Sequence, residues 1–180
     1  MVIATRDRRA ELERTLHALT ADADPPRVVV VDNASTDGTT AFVRTRFPGV
    51  RAVRLPRNRG AAARNVGAAL AGTPHIAFSD DDSWWEPGSL SRAADLLDAD
   101  PALGLVAASV LVGDERRPDP VNAELDKGVP GGGPPGVLGF LGCAAVVRAR
   151  AFVQAGGYSP LLFFVGEEAL LAQDLAAAGW

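Results

Sequence analysis

Hydrophobic positions along the chain follow two periods that take turns. Val2-Ile3-Ala4-Thr5 is a short apolar run that predicts a strand, and it gives way to a stretch with Leu12, Leu16 and Leu19 on one helical face and charges opposite. Arg27-Val28-Val29-Val30-Val31-Asp32 reads as the clearest strand, β-branched and without polar alternation, as suits a parallel strand covered on both faces. A helix carrying Phe42, Val43 and Phe47 follows, then a strand over 50–55, an alanine-rich helix over about 61–70, a strand at Ile76 and a helix over 87–97. Strand and helix in repeated alternation predict an α/β fold, a mostly parallel sheet with helices on both faces.

Past Asp100 the pattern changes. Residues 103–112 predict a further apolar strand, whereas 113–136 are rich in glycine, proline and charge. Neither Asp114-Glu115-Arg116-Arg117 nor Gly131-Gly132-Gly133-Pro134-Pro135 is expected to form a regular element. A loop of that length inside a compact domain is functional or disordered. Residues 137–147 resume a strand-like run containing Cys143, read as an inert core thiol. A short helix over 151–155 closes at Gly156-Gly157, and Glu167-Glu168 opens a last helix with Leu170, Leu171 and Leu175 inward.

Length and charge narrow the picture. The 180 residues fit one domain with a real core, and the net charge of -4 argues against nucleic-acid binding by phosphate neutralisation. A single cysteine excludes an intrachain disulfide and a cysteine zinc site. No apolar run reaches the ~18 residues of a membrane span. Arg6, Arg8 and Arg9 come too early for a signal peptide, so the expected location is cytoplasmic. The first residue already lies inside a strand, and Gly179-Trp180 ends a helix that another element would normally follow. The expectation is a chain cut at both ends.

Candidate chemistry gathers where strands end. Thr5, Asp32, Asn58 and Asp80 each lie at or just after a strand exit, and open α/β sheets bind ligands beyond those ends. The run from Ile76 discharges into Asp80-Asp81-Asp82, adjacent anions that need solvent, cationic partners or a bound cation. If the segment stays extended, Asp80 and Asp82 point to one side and Asp81 to the other. Paired carboxylates on one side suit Mn2+ or Mg2+, completed by substrate phosphates. The alternative is a solvated acidic turn, with Ser83 or Asp82 as helix cap and Pro87 in the first turn. Trp84 and Trp85 suit sugar stacking, although at least one is expected in the core. Arg148 and Arg150 read as a solvated helix start rather than a diphosphate site.

These residues carry a resemblance. The segment from Val28 through Asp32-Asn33-Ala34-Ser35-Thr36-Asp37-Gly38-Thr39 resembles the nucleotide-binding segment of family 2 glycosyltransferases, whose fold is GT-A, a Rossmann-like sheet. Asn58-Arg59-Gly60-Ala61-Ala62-Ala63-Arg64-Asn65-Val66-Gly67 is similar to the second signature of that family. Asp80-Asp81-Asp82 falls where its aspartate (DXD) motif belongs, and Gly166-Glu167-Glu168 with Gly179-Trp180 resembles its acidic catalytic helix. Four segments occur in family order across nearly the whole chain.

The resemblance implies an inverting, metal-assisted transfer from a nucleotide-diphosphate sugar to a hydroxyl acceptor, which is a glycan, a lipid-linked molecule or a small molecule. It implies one domain over 1–180, with a nucleotide-sugar half over about 1–100 and an acceptor and catalytic half over about 101–180. Thr5, Asp32, Asn58 and Arg64 would line the nucleoside and phosphate side, and Asp81 would meet the ribose or the donor sugar. Asp80 and Asp82 would hold Mn2+ or Mg2+. Glu168, with Glu167 second, would take the acceptor proton; the family more often has Glu-Asp there, which leaves the choice between the two open. Helix-dipole stabilisation of its charge opposes burial beside Phe163 and Phe164. Synthesis of envelope glycan or glycolipid, with peripheral membrane association, fits a lipid acceptor. The rival readings are a nucleotidyltransferase, which lacks its usual glycine loop in Ala4-Thr5-Arg6-Asp7-Arg8, and a truncated, non-catalytic nucleotide-sugar-binding domain. His17 and His75 are poorly placed to join a metal site.

Overall fold

Side chains of a strand alternate between the two faces of its sheet, so each buried strand here supplies two cores. The computed structural model describes residues 1–22, 24–125 and 139–180. Its elements run β1 (Val2–Thr5), α1 (Arg9–Thr20), β2 (Val29–Asp32), α2 (Thr39–Arg46), β3 (Arg51–Arg54), a 3-10 turn (Gly60–Ala62), α3 (Ala63–Ala71), β4 (His75–Ser79) and α4 (Ser89–Ala99). The second half adds β5 (Leu105–Ala107), β6 (Leu111–Val112), β7 (Arg117–Pro118), α5 (Pro120–Leu125), β8 (Ala145–Arg148), α6 (Ala149–Gln154) and α7 (Glu167–Ala177). The main sheet has the order β3-β2-β1-β4-β8-β5. Its first four strands are parallel, and β8 runs antiparallel between β4 and β5.

Ile3, Val30, Ala77 and Val146 face α1, α2 and α4 through Leu12, Leu16, Val43, Phe47, Ala93 and Leu97. Val2, Phe78, Ala145 and Val147 face the other way, onto Phe152 of α6, Tyr158, and Leu171 and Leu175 of α7. Val29 and Val31 meet α3 at Ala63. The α/β architecture expected from the alternating pattern is therefore present, with helices on both faces.

The second half departs from the expectation in detail. The apolar run 103–112 is two strands, not one: β5 pairs with β8, while β6 turns back on β7 as a separate hairpin. Arg116 and Arg117, expected outside any regular element, lie in and after the hairpin turn, which Arg116 closes at a positive φ of 53°. The glycine-proline stretch 131–135 lies outside the described residues. In the run 137–147 the strand begins only at Ala145, and Cys143 sits half-buried in the preceding turn instead of the core. Arg148 and Arg150, expected in solvent, hold the loop after α4: Arg148 donates to the carbonyls of Leu97, Leu103 and Asp100, and Arg150 to that of Pro101.

Helix α3 approaches the sheet closely at Gly67, where an added Cβ would collide with Val2 and lie 3.1 Å from Cγ2 of Val31. Alanine would restore about 1 kcal/mol of helix propensity, but overpacking of this kind costs about 1–3 kcal/mol. Gly67→Ala is expected to lower stability despite the better helix former, and Gly67→Val to lower it further, in urea unfolding curves. A Gly67→Val protein as stable as the parent would show that α3 lifts from the sheet freely.

Candidate active site

Register decides what meets at the strand exits. Thr5 pairs with Asp32, Asp32 with Arg54, and Ile3 with Ser79. Continued by two residues, the β1–β4 pairing brings Asp81 level with Thr5. The Thr5 hydroxyl indeed donates to Asp81 Oδ2 at 2.8 Å, and the Thr15 hydroxyl of α1 donates to the Asp81 carbonyl at 2.9 Å. Arg8 completes the set, with Nε 2.9 Å from Asp81 Oδ1. Burial pushes the Asp81 carboxyl above its ordinary range, against the pull of the Thr5 bond and of Arg8.

The triple aspartate is a turn, not an extended strand end. The Asp80 amide donates to Ser83 Oγ at 2.9 Å, and the Ser83 amide to the Asp80 carbonyl at 3.4 Å. Simple alternation therefore does not set the directions of the three carboxylates. Asp81 turns inward. Asp80 is paired with Arg64, and Asp82 with Nη2 of Arg8 at 2.6 Å. Arg64 is nearly enclosed, with a side chain only 13% exposed and its Cζ 5.7 Å from the Tyr158 ring centroid. Burial opposes its charge, yet Asp80 and the neighbouring Tyr158 and Glu168 carry its pKa above the ordinary value.

Glu168 lies close to this arginine. A Cβ at Gly142 would sit 3.0 Å from Glu168 Oε1 and 3.7 Å from Arg64 Nη2, so the three groups are near neighbours. The Gly142 amide bonds the Glu168 carboxylate, but burial outweighs it and pushes the Glu168 pKa up. Phe163 and Phe164, expected to bury this acid, are exposed instead, so the shielding comes from the 142 turn. Glu167 is buried, with Oε2 unpartnered among the described residues. Burial and Asp80 raise the Cys143 thiol to about 11, so it is a neutral thiol near pH 7, in keeping with an inert role.

The residues expected on the nucleoside side are already engaged. Thr5 is buried against Asp81. Asp32 is 1% exposed; Oδ1 accepts the Ser35 amide at 2.7 Å, Oδ2 accepts the Thr40 hydroxyl, and Arg54 Nε lies 3.9 Å away. Asn58 is half-buried and accepts the Gly60 amide at 2.9 Å. Trp85 is packed on the core with its indole donating to the Phe78 carbonyl at 3.1 Å, whereas Trp84 stands exposed. His75 lies at the start of β4, the end of that strand away from the aspartates, with Nε2 3.2 Å from Asp98 Oδ1.

Two asparagines that sequence reasoning passed over join the loops. Asn33 accepts the Arg59 amide at 2.7 Å and donates to the Gly60 carbonyl at 3.1 Å. Asn65 brackets Tyr158 in the same way, at 2.9 and 2.8 Å. Each side-chain amide supplies one donor and one acceptor to a passing backbone, as a strand neighbour would. Asn inside a family-like signature was the available signal. The approach to α7 is held at Gly60: Ala61 donates to the Phe163 carbonyl at 3.0 Å, and a Cβ on Gly60, whose φ is +56°, would overlap that carbonyl.

Comparison with known proteins adds relatives to this geometry. The family described as Glycosyl transferase family 2 matches residues 1–153. The N-acetylglucosaminyl-diphospho-decaprenol L-rhamnosyltransferase of Mycobacterium tuberculosis is 28% identical, over all of this chain and 71% of that protein. The mannosyltransferase PcManGT from Pyrobaculum calidifontis, solved in complex with GDP-Man and Mn2+, matches with a TM-score of 0.73 at 27% identity, over 99% of this chain and 52% of that one. TarS of S. aureus, solved in complex with UDP, matches with a TM-score of 0.75 over 98% of this chain and 54% of that one; at 19% identity the likeness concerns the fold. The chain spans about half the length of these solved relatives.

The raised pKa of Glu168 means that the folded state holds this proton more tightly than the unfolded chain. Its contribution to stability is full below the unfolded value of about 4.3 and is lost as pH rises through the folded value. Glu168→Gln should therefore melt above the parent protein at pH 8, with the gap closing toward pH 4. A gap that stays constant with pH would show that Glu168 ionises as it does in water.

Proposed function

This chain belongs to glycosyl transferase family 2 and has the GT-A fold, and on that premise we propose that it transfers a sugar from a nucleotide-diphosphate donor to a hydroxyl acceptor with inversion. One observation carries the reading. Arg64 is bonded to Asp80 and lies beside Glu168 across Gly142, and this proximity supports assigning the donor to one side of the arginine and the acceptor to the other. The strand-exit residues over about 1–100 form the donor half, and 101–180 supply the acceptor half.

The donor set fits a divalent cation. Asp80 and Asp82 present hard oxygen donors, and each is engaged by an arginine through a single oxygen. Among the described residues no cluster of three or more His, Cys, Asp or Glu side chains is arranged for a metal. Two carboxylates completed by phosphate oxygens and water is a set that Mg2+ and Mn2+ accept. When bound, the cation supplies Lewis-acid stabilisation to the diphosphate leaving group.

The remaining roles fall to the chain's own groups. Glu168 takes the proton of the acceptor hydroxyl as that oxygen attacks the anomeric carbon and the bond to the diphosphate breaks. Its raised pKa suits a general base better than an ordinary carboxylate would. Glu167 is buried behind it and acts as a supporting residue. Arg64 offers its charge to the phosphates. Asp32 and Asn58 frame the nucleoside, while Thr5 and Asp81 fix the aspartate turn rather than touch the donor.

Exposed Leu161, Phe163, Phe164 and Val165 lead into α7, and this apolar run supports an acceptor carried on lipid. The mycobacterial relative, whose name describes a decaprenol-linked acceptor, supports the same class. No helix among the described residues is long and apolar enough to cross a membrane. The association we propose is peripheral and rests on this exposed apolar run.

A thermal-shift series with UDP-, GDP- and dTDP-sugars, with and without Mn2+, tests the donor reading. One donor at a hundred times its Kd should add about 2.7 kcal/mol of stability, and only with the metal. No metal-dependent shift with any donor would overturn it. Glu168→Gln should retain that shift while turnover falls by about 10²–10⁴. Binding without turnover in the parent chain would favour the non-catalytic alternative.

A further inference from the structure

The triple-aspartate turn is neutralised by two arginines of different character. Arg64 is nearly enclosed, with 13% of its side chain exposed. Arg8 stands at the surface just ahead of α1, with 46% of its side chain exposed, and forks across two carboxylates. Nε meets Asp81 at 2.9 Å and Nη2 meets Asp82 Oδ2 at 2.6 Å. Asp81 and, after it, Asp82 raise the guanidinium pKa, so it stays charged.

The two carboxylates do not depend on Arg8 equally. Asp81 also has Thr5, and its backbone is held by Thr15. Asp82 is 53% exposed, and among the described residues Arg8 is the partner its carboxylate has. A guanidinium on Oδ2 leaves a cation only Oδ1 of this carboxylate, and its charge repels a divalent ion in the same place.

From this asymmetry, and resting on the metal reading above, we propose that Arg8 is a positioning residue that competes with the divalent cation for Asp82. Its Nε contact with Asp81 anchors the side chain, while Nη2 releases Asp82 as the cation arrives. Arg8 thereby sets the affinity of the turn for metal. It keeps the exposed carboxylate neutralised between turnovers, and the released guanidinium end is left beside the incoming phosphates.

The test measures Mn2+ binding by the loss of the free-ion electron paramagnetic resonance signal, on the full chain, with and without UDP or GDP. Arg8→Gln should bind Mn2+ at least about tenfold more tightly than the parent, the scale expected for removing one charge about 5 Å from a divalent ion screened as in water. Adding Asp82→Asn to Arg8→Gln should abolish the gain. Arg8→Lys, which keeps a charge near Asp81 but cannot fork, should fall between them; it serves as the readout if Arg8→Gln melts too low to study. Equal or weaker Mn2+ binding by folded Arg8→Gln or Arg8→Lys overturns the role of Arg8 and leaves the metal reading standing. No Mn2+ binding by any of these proteins, with or without nucleotide, removes both.

Discussion

The mouth of the sheet is organised by the satisfaction of one inward carboxylate. Asp81 lies where the β1–β4 register places it, under Thr5 and beside α1, and an unpaired charge there would cost several kcal/mol. Thr5 and Arg8 supply that compensation. Because Asp81 is held inward, the chain must turn at once, and the turn presents Asp80 and Asp82 outward on either side of it. An acidic motif that would repel itself in an extended strand is thus spread over three separate environments. Its flanking members remain partly exposed because its middle member does not.

Around that turn, the loops are fastened by side chains that imitate backbone. Asn33 holds the second signature to the exit of β2, and Asn65 holds Tyr158 to α3. Tyr158 in turn packs edge-on against Phe78 at 5.4 Å, with Phe152 alongside, at the centre of the core behind β4. The wall that carries Arg64 is therefore continuous with the most enclosed aromatic cluster in the molecule. A charged side chain is held nearly out of solvent because one face of it rests on that cluster and one nitrogen reaches Asp80.

The first hundred residues were legible because local pattern and tertiary role agree there. Val29, Val30 and Val31 are apolar on both faces, and both faces are covered. The strand at 103–112 was misread as one element because the apolar run continues across a change of partner, and pairing is not written in hydrophobicity. Partners distant in sequence were equally hidden. Arg8 meets Asp82 across 74 positions and Asn65 meets Tyr158 across 93, separations over which no periodicity speaks. Asp80 and Asp82 are candidates from residue type and position, and Glu168 from the resemblance of its segment. That Asp81 and Thr5 face each other follows from register alone, and register appears only once the sheet is assembled.

Gly60 leaves no space between the second signature and the Phe163 carbonyl. The turn before α3 and the approach to α7 are thereby riveted at one corner. Any side chain at position 60 would have to displace that carbonyl, and with it the bond from Ala61 that fixes where the approach to α7 lies.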